Sequence, residues 1–321
     1  MRSRIIALAC CGLAVSVACN RTAPPKEGET AKPTVALVLK TLNSPFFIEM
    51  QRGAQAEADR QGITLVVQAA EREVDVDKQM QIIENLIQTK VGALAITPSG
   101  SKEIVPAILK ANQAGIPVVI VDTRVEPAAA KEAGIKIETF VGSDNYEGGK
   151  VAGQYLVEIS GGKAKVALLE GIPGHETGDS RLRGFRVAIK DHPAIQVVAS
   201  QTANWERDQG FNVFQNMLQA HPEIDTLFAC NDMMALGALE AIQAAGRTGK
   251  IRVIGFDAVD DARKAMIAGT MVASVAQFPA EMGRLAVESA VALIKGQRPP
   301  PEHQVRIELV TRANASAGAA H

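Results

Sequence analysis

The chain of 321 residues carries 34 basic and 35 acidic side chains and is 47% hydrophobic. Charge so evenly balanced offers no basic field for nucleic acid and no polybasic run for anionic lipid, so the partner to expect is small and largely neutral. The length suits two domains of ordinary size, each able to bury a full core without disulfide or metal staples.

At the N-terminus, Arg2 and Arg4 precede an apolar stretch from Ile5 to Ala18 that is too short to span a bilayer and ends in small residues, so residues 1–18 read as an export signal. Ser16-Val17-Ala18 fits ordinary signal cleavage, and the same residues directly before a cysteine also suit lipid attachment. The reading adopted is a lipid-modified Cys19 that anchors the exported protein to the membrane. Residues 19–33, rich in Pro, Thr, Lys and Glu, then read as a tether. Cys10 and Cys11 leave with the signal, and Cys230, alone in TLFAC, reads as a small core hydrophobe.

From Thr34 onward, short Val/Ile/Leu runs alternate with helical stretches, the pattern of βαβ units around parallel sheets. Strands are predicted near 34–40, 63–68, 92–97, 117–121 and 138–142, with helices near 45–61, 75–90 and 101–114. After Gly142 a second series opens, with strands near 164–170, 195–201, 225–229, 251–256 and 271–276 and helices starting near Asn145, Asp179, Glu206, Met233 and Asp260. A helix from about Pro279 to Lys295 and a last strand near Val305 to Val310 close the chain. Gly62, Gly115 and Gly246 fall just past helices, where a left-handed cap wants glycine. If the last helix packs back on the first series, the backbone crosses between lobes near Gly142, Gln277 and Arg306, a hinge that bends but resists swivelling. The N-terminal lobe is therefore 34–142 plus 278–306, the C-terminal lobe 143–277 plus 307–313, and 314–321 a flexible tail.

Polar or aromatic residues follow the strands at once. TVALVLK leads to Ser44, Phe46 and Phe47, IPVVIV to Asp122, KVALLE to His175 and Arg181, QVVAS to Trp205, TLFAC to Asn231, RVIGF to Asp257, and MVASVA to Gln277. In open α/β sheets the carboxyl ends of strands face the ligand crevice, so these residues should converge. Each also has a plainer reading. The aromatics suit core packing, Asn231 and Asp257 suit helix caps, Asp122 and Arg181 suit ion pairs, and His175 suits a solvated loop. Jointly, those alternatives account poorly for the recurrence. The ligand such a set would suit is a sugar, whose ring offers apolar faces to aromatic plates and a belt of hydroxyls to planar donors and acceptors.

Catalytic signatures are absent: there is no G-x-S-x-G elbow, no Walker A sequence and no G-x-G-x-x-G after a strand. His192, His221, His303 and His321 show no paired ligand spacing, so no metal and no cofactor are expected. The glycines of EGGKVAGQ and ISGGK read as helix packing and helix termination.

Eight collinear stretches, among them VALVLKTLNSPFFIEMQRGAQAEA, GIPGHETGDSRLRGF, ASQTANWERDQGFNVFQNML and FACNDMMALGALEAIQAAG, resemble the periplasmic sugar-binding proteins of the ribose and glucose/galactose type. The likeness runs from Thr34 to about Arg312. It implies the type 1 venom-flytrap architecture of two Rossmann-like lobes, and a monomer that delivers a monosaccharide to the membrane subunits of an ABC permease. It implies Phe46 and Trp205 as plates on the two ring faces, with Asp122, Arg181, Asn231, Asp257 and Gln277 on the hydroxyls. His175 matches the glucose/galactose branch, which favours a hexose over a pentose. Three departures stand out: Ser44 replaces a longer Asn or Asp, Thr123 intervenes between Asp122 and Arg124, and residues 125–137 form a longer connection that is either a surface excursion or part of the cleft lip. Arg124 is kept as a candidate ligand. The alternatives weighed are a sensory receptor, a transcription regulator core, which the N-terminus does not suit, and a sugar-processing enzyme using Asp122 or Asp257 with His175.

Overall fold

The computed structural model describes residues 32–318. The expected signal, Cys19 and nearly all of the tether lie outside the described residues. In chain order the first lobe contains β1 (Thr34–Leu39), α1 (Pro45–Gln61), β2 (Thr64–Ala69), α2 (Val76–Gln88), β3 (Ala93–Ile96), α3 (Val105–Gln113), β4 (Val118–Val121), α4 (Pro127–Ala133) and β5 (Thr139–Ser143). The second contains α5 (Asn145–Ser160), β6 (Ala164–Glu170), α6 (Glu176–Ile189), β7 (Ile195–Thr202), α7 (Arg207–Ala220), β8 (Thr226–Ala229), α8 (Asp232–Ala244), β9 (Arg252–Asp257), α9 (Asp260–Ala268) and β10 (Ala273–Ala276). Then come α10 (Pro279–Ile294), β11 (Glu302–Val305) and β12 (Glu308–Thr311).

The two sheets repeat one plan, β2-β1-β3-β4-β5 and β7-β6-β8-β9-β10, each extended by one late strand. The central runs ALAI, VVIV and TLFA are buried on both faces, as parallel strands covered by helices must be. Edge strands β2 and β7 are partly exposed and mix polar residues into the run.

Helices cover the sheets as close pairs, and glycines set the approach. A Cβ at Gly53 on α1 would fall 1.9 Å from the Ala280 carbonyl oxygen of α10, and one at Gly283 1.9 Å from that of Met50. Gly149 and Gly184 do the same for α5 against α6, meeting the carbonyls of Arg181 and Tyr146 at 2.0 Å each. These contacts bear out helix packing for the EGGKVAGQ glycines, and they fix the backbone of Arg181. Gly62, Gly115 and Gly246 end their helices with φ of 68°, 72° and 66°.

The structure corrects the sequence reading at three places. The single last strand is two: β11 runs parallel to β5 in the first sheet, and β12 antiparallel to β10 in the second. The backbone changes sheet between them, so one apolar run serves two cores. Residues 125–137 hold α4, started by Pro127 and by Glu126, whose carboxylate accepts from the amides of Ala128 and Ala129, and ended by Gly134 at φ 62°. At the C-terminus, the described part of the expected tail forms a 3₁₀ turn, Ala315–Gly318, with Ala315 buried and its carbonyl accepting from Arg263. The chain passes between sheets three times, after β5, after β10 and between β11 and β12. Arg306 of the last passage lies 3.7 Å over the ring of Phe278 in the second.

Candidate functional site

The carboxyl ends of both sheets face one cavity, with about 310 Å³ of empty space that opens to solvent. Nine sequence-derived candidates line it: Ser44, Phe46, Phe47 and Asp122 from the first lobe, Arg181, Trp205, Asn231 and Asp257 from the second, and Gln277 at the crossing. Lys40, Glu73 and Thr177 also line it and were missed by the sequence reading.

Backbone geometry marks the site. Among the described residues, six non-glycines have positive φ, and Asp122 (63°), Trp205 (69°) and Asp257 (105°) are cavity residues, with Asn204 (51°) and Ala258 (52°) beside them. Left-handed conformations cost energy in non-glycine residues and persist where the surroundings impose them. Here they turn the chain sharply at the ends of β4, β7 and β9, so the side chain points back across the strand tip.

The cavity's charges are paired within each lobe. Lys40, buried at the end of β1, places Nζ 3.4 Å from Asp122 and 3.7 Å from Glu73. Arg181 donates from Nε to Asn145 Oδ1 at 2.8 Å and from a terminal nitrogen to the Cys230 carbonyl at 2.7 Å, and lies 3.8 Å from Asp257. Its guanidinium stacks 3.7 Å over Phe256. Burial pushes the Glu73 carboxyl up to about 7 against the pull of Lys40, with the Asp122 charge adding to the rise. Burial likewise pushes Asp257 up to about 6, against Arg181 and the Gln277 hydrogen bond.

The neutral amides are partly engaged. Asn231 caps α8 by accepting from the Met234 amide at 2.9 Å and donates to the Trp205 carbonyl at 3.1 Å, so cap and cavity roles coexist. Gln277 donates to Asp257 at 2.9 Å, while its Oε1 is buried without a partner. Asp232, fully buried, accepts from Ser274 and from the Val259 amide and so pins the Asp257 turn; burial, then the Asp257 charge, keeps its carboxyl well above the ordinary range. Beneath the Trp205 indole lie Gly171 and Gly178: a Cβ at Gly171 would sit 2.0 Å from the ring.

Two candidates stand elsewhere. Arg124 pairs with Glu302 and stacks 3.7 Å over Phe140, outside the cavity, because the following turn directs it to the β11 edge. His175 is buried beside the cavity and donates from Nε2 to the Ser99 carbonyl of the other lobe at 2.7 Å. Nearby, Thr123 meets Thr177 at 3.1 Å and the Glu176 amide donates to Ser101 at 3.2 Å, so this is a seam between lobes. The argument for a hexose that rested on His175 therefore loses its ground.

Cys230, its thiol pushed up to about 12 by burial, turns into the core. Among the described residues, no group of three or more His, Cys, Asp or Glu could hold a metal ion, and no helix is long and apolar enough to cross a membrane. Residues 35–298 match the model of the periplasmic binding protein domain. The chain belongs to the periplasmic binding protein family. The ribose import binding protein of Escherichia coli is 39% identical over 282 residues, covering 88% of this chain and 92% of its own. The D-ribose/D-allose-binding protein of Pseudomonas aeruginosa is 37% identical over 290 residues, covering 87% and 89%. An ABC transporter periplasmic solute-binding protein from Actinobacillus succinogenes, solved with bound D-allose, superposes with a TM-score of 0.84 at 40% identity, over 89% of this chain and all of that one. Membership places the protein in the periplasm as a solute-binding protein and not an enzyme. Two α/β lobes with nearly all-parallel sheets are the architecture of its structural relatives, the fold the sequence reading reached.

Proposed function

We propose that this protein captures a monosaccharide between its lobes, a hexose in preference to a pentose, and presents it to the membrane subunits of an ABC importer. The observation that carries the reading is the convergence of seven polar side chains, Lys40, Glu73, Asp122, Arg181, Asn231, Asp257 and Gln277, with two aromatics from opposite lobes, Phe46 and Trp205, on one cavity. Ionised groups would bond the hydroxyls at roughly 1.5–3 kcal/mol each, and the aromatics would stack on the ring. So dense a polar shell suits the ligand with one hydroxyl more than a pentose, and the relative solved with bound D-allose is in line with this, while the Pseudomonas aeruginosa relative is named for both D-ribose and D-allose. Titration calorimetry against pentoses, hexoses and polyols tests it. Absence of binding by all of them rejects the function, and a pentose binding tightest rejects the hexose.

Residues 34–142 with 278–306 and 143–277 with 307–313 would move as the two rigid halves of a monomer. Cys19 would carry the lipid anchor, which the mass of the mature N-terminus reports.

Trp205 can serve as a ring plate only while Gly171 leaves room beneath it. Gly171→Ala is expected to push the indole into the cavity and weaken sugar binding by more than about tenfold, with overpacking also costing about 1–3 kcal/mol of stability. Unchanged affinity would separate Trp205 from the ligand.

His175 is neutral where it joins the lobes, because its burial there disfavours the charged ring. Burial, aided by the Lys40 charge, lowers it to about 3, whereas an opened cleft would return it toward the ordinary value of about 6.5. The open form then binds the extra proton, so closure is unimpaired above about pH 6.5 and is progressively penalised as pH falls from there toward 3. Glu73 and Asp257 are shifted upward and push the opposite way, so the comparison must be with His175→Gln, which keeps a donor for Ser99. Between pH 7.5 and 5.5 the wild type is expected to lose on the order of tenfold more affinity than this variant. Parallel pH profiles would remove His175 from the seam.

A further inference from the structure

A second cavity, of about 290 Å³, adjoins the first and shares Ser44, Glu73 and Trp205 with it. Its remaining walls come from both lobes, Thr41, Asn43 and Glu71 facing Glu206, Arg207 and Met233. We propose that the closed site accepts a sugar substituted at one hydroxyl, with the substituent lodged in this second cavity. This rests on reading the first cavity as a monosaccharide site.

The walls of the first cavity differ around its circumference. On the His175 side the lobes are sealed by the bonds of His175 to Ser99, Thr123 to Thr177 and Glu176 to Ser101, so a substituent pointing there would keep the cleft open. On the Ser44 side the partition is thin. Ser44 is short and its hydroxyl makes no capping bond with α1, and Trp205 keeps a buried indole N–H without a partner. Beyond them, space persists although the lobes are already in contact across it, Arg72 lying 3.6 Å from Glu206.

The free chemistry of this annex defines the substituent. Thr41 spends its donor and Asn43 one of its two on the Glu71 carbonyl, and Arg207 bonds Glu240 through Nε and one terminal nitrogen. What remains is mixed: the Trp205 indole N–H and the unused N–H groups of Asn43 and Arg207 as donors, and the carboxylates of Glu71 and Glu206 as acceptors, beside the apolar surface of Met233. With charges of both signs around it, the group that fits is a neutral alkyl or hydroxyl-bearing unit.

The test is calorimetry with the tightest-binding free sugar and its complete set of mono-O-methyl ethers. One ether, or two adjacent ones, is expected to bind within about threefold of the parent while the others lose more than about a hundredfold. Met233→Trp, which fills the annex, should abolish binding of the retained ether and leave the parent sugar unchanged. If Met233→Trp fails to bind the parent, Arg207→Trp is read in its place. A hundredfold loss for every ether overturns the proposal, as does a retained ether indifferent to both substitutions. In either case the parent's binding leaves the monosaccharide reading intact, whereas failure of the free sugars to bind removes both.

Discussion

Replacing Lys40 with methionine is expected to weaken sugar binding by at least about a hundredfold, because removing one member of a buried charge cluster costs about 3 kcal/mol or more. Methionine keeps most of the stem's bulk, so packing over Phe47, whose ring centre lies 5.6 Å from Nζ, is largely preserved. What is lost is the only cation within 4 Å of both Asp122 and Glu73 among the described residues. The two carboxylates would then lie near each other with no cation between them, and the easiest relief is a proton on Glu73, already raised to about 7 by burial. That supplies a signature beyond the loss itself. Without Lys40, closure takes up a proton over a window extending upward from the ordinary Glu range through about 7, so the variant should bind better as pH falls from 8 to 6. Adding Glu73→Gln should recover part of the affinity and flatten that pH profile. Calorimetry that finds Lys40→Met within tenfold of wild type would take Lys40 out of the binding machinery.

Lys40 also shows where reading the sequence stopped. Asp122, Trp205, Asn231 and Asp257 were legible because each breaks a β-branched run with a residue of opposite character, and strand tips in a parallel sheet open on the crevice. Lys40 occupies the same kind of position, but a lysine ending a strand ordinarily carries its ammonium out to water. Nothing local says that this one is buried. Glu73 sits in AEREVD, where crowded charges look like a solvated loop; only its closeness to β1 and to the other lobe makes it part of the cavity. His175 carried a misleading signal: strand-end loops place residues at the cleft, yet the cleft includes both the pocket and the seam around it, and this one joins the seam. The helix hidden in residues 125–137 had its marks in plain sight, Pro127 at the start and Gly134 at the end. The division of the last strand had none, because the step from β11 to β12 is decided by two sheets meeting rather than by the residues at the step.

Arg181 is the second place where a large effect is expected, and the informative replacement is the conservative one. Lysine preserves the charge opposite Asp257, 3.8 Å away, but cannot reproduce a planar fork that donates simultaneously to Asn145 and to the Cys230 carbonyl while stacking on Phe256. An ammonium in this volume would swing toward one carboxylate or one carbonyl and leave the other acceptors buried and unpaired, at about 1–3 kcal/mol each. The two bonds join α5, the loop after β8 and α6, so the fork holds three elements of the second lobe in register beneath Trp205, whose ring centre lies 5.6 Å from the guanidinium carbon. Arg181→Lys is therefore expected to bind sugar at least about a hundredfold more weakly, and to melt several degrees lower because the lost bonds are structural as well. Asn145→Ala removes one of the two anchors without touching the cavity lining, and should show the same fall in melting temperature with a smaller loss of binding. Equal affinity in wild type and Arg181→Lys would mean that charge alone is recognised at this corner, and would leave the guanidinium's geometry to stability rather than to the sugar.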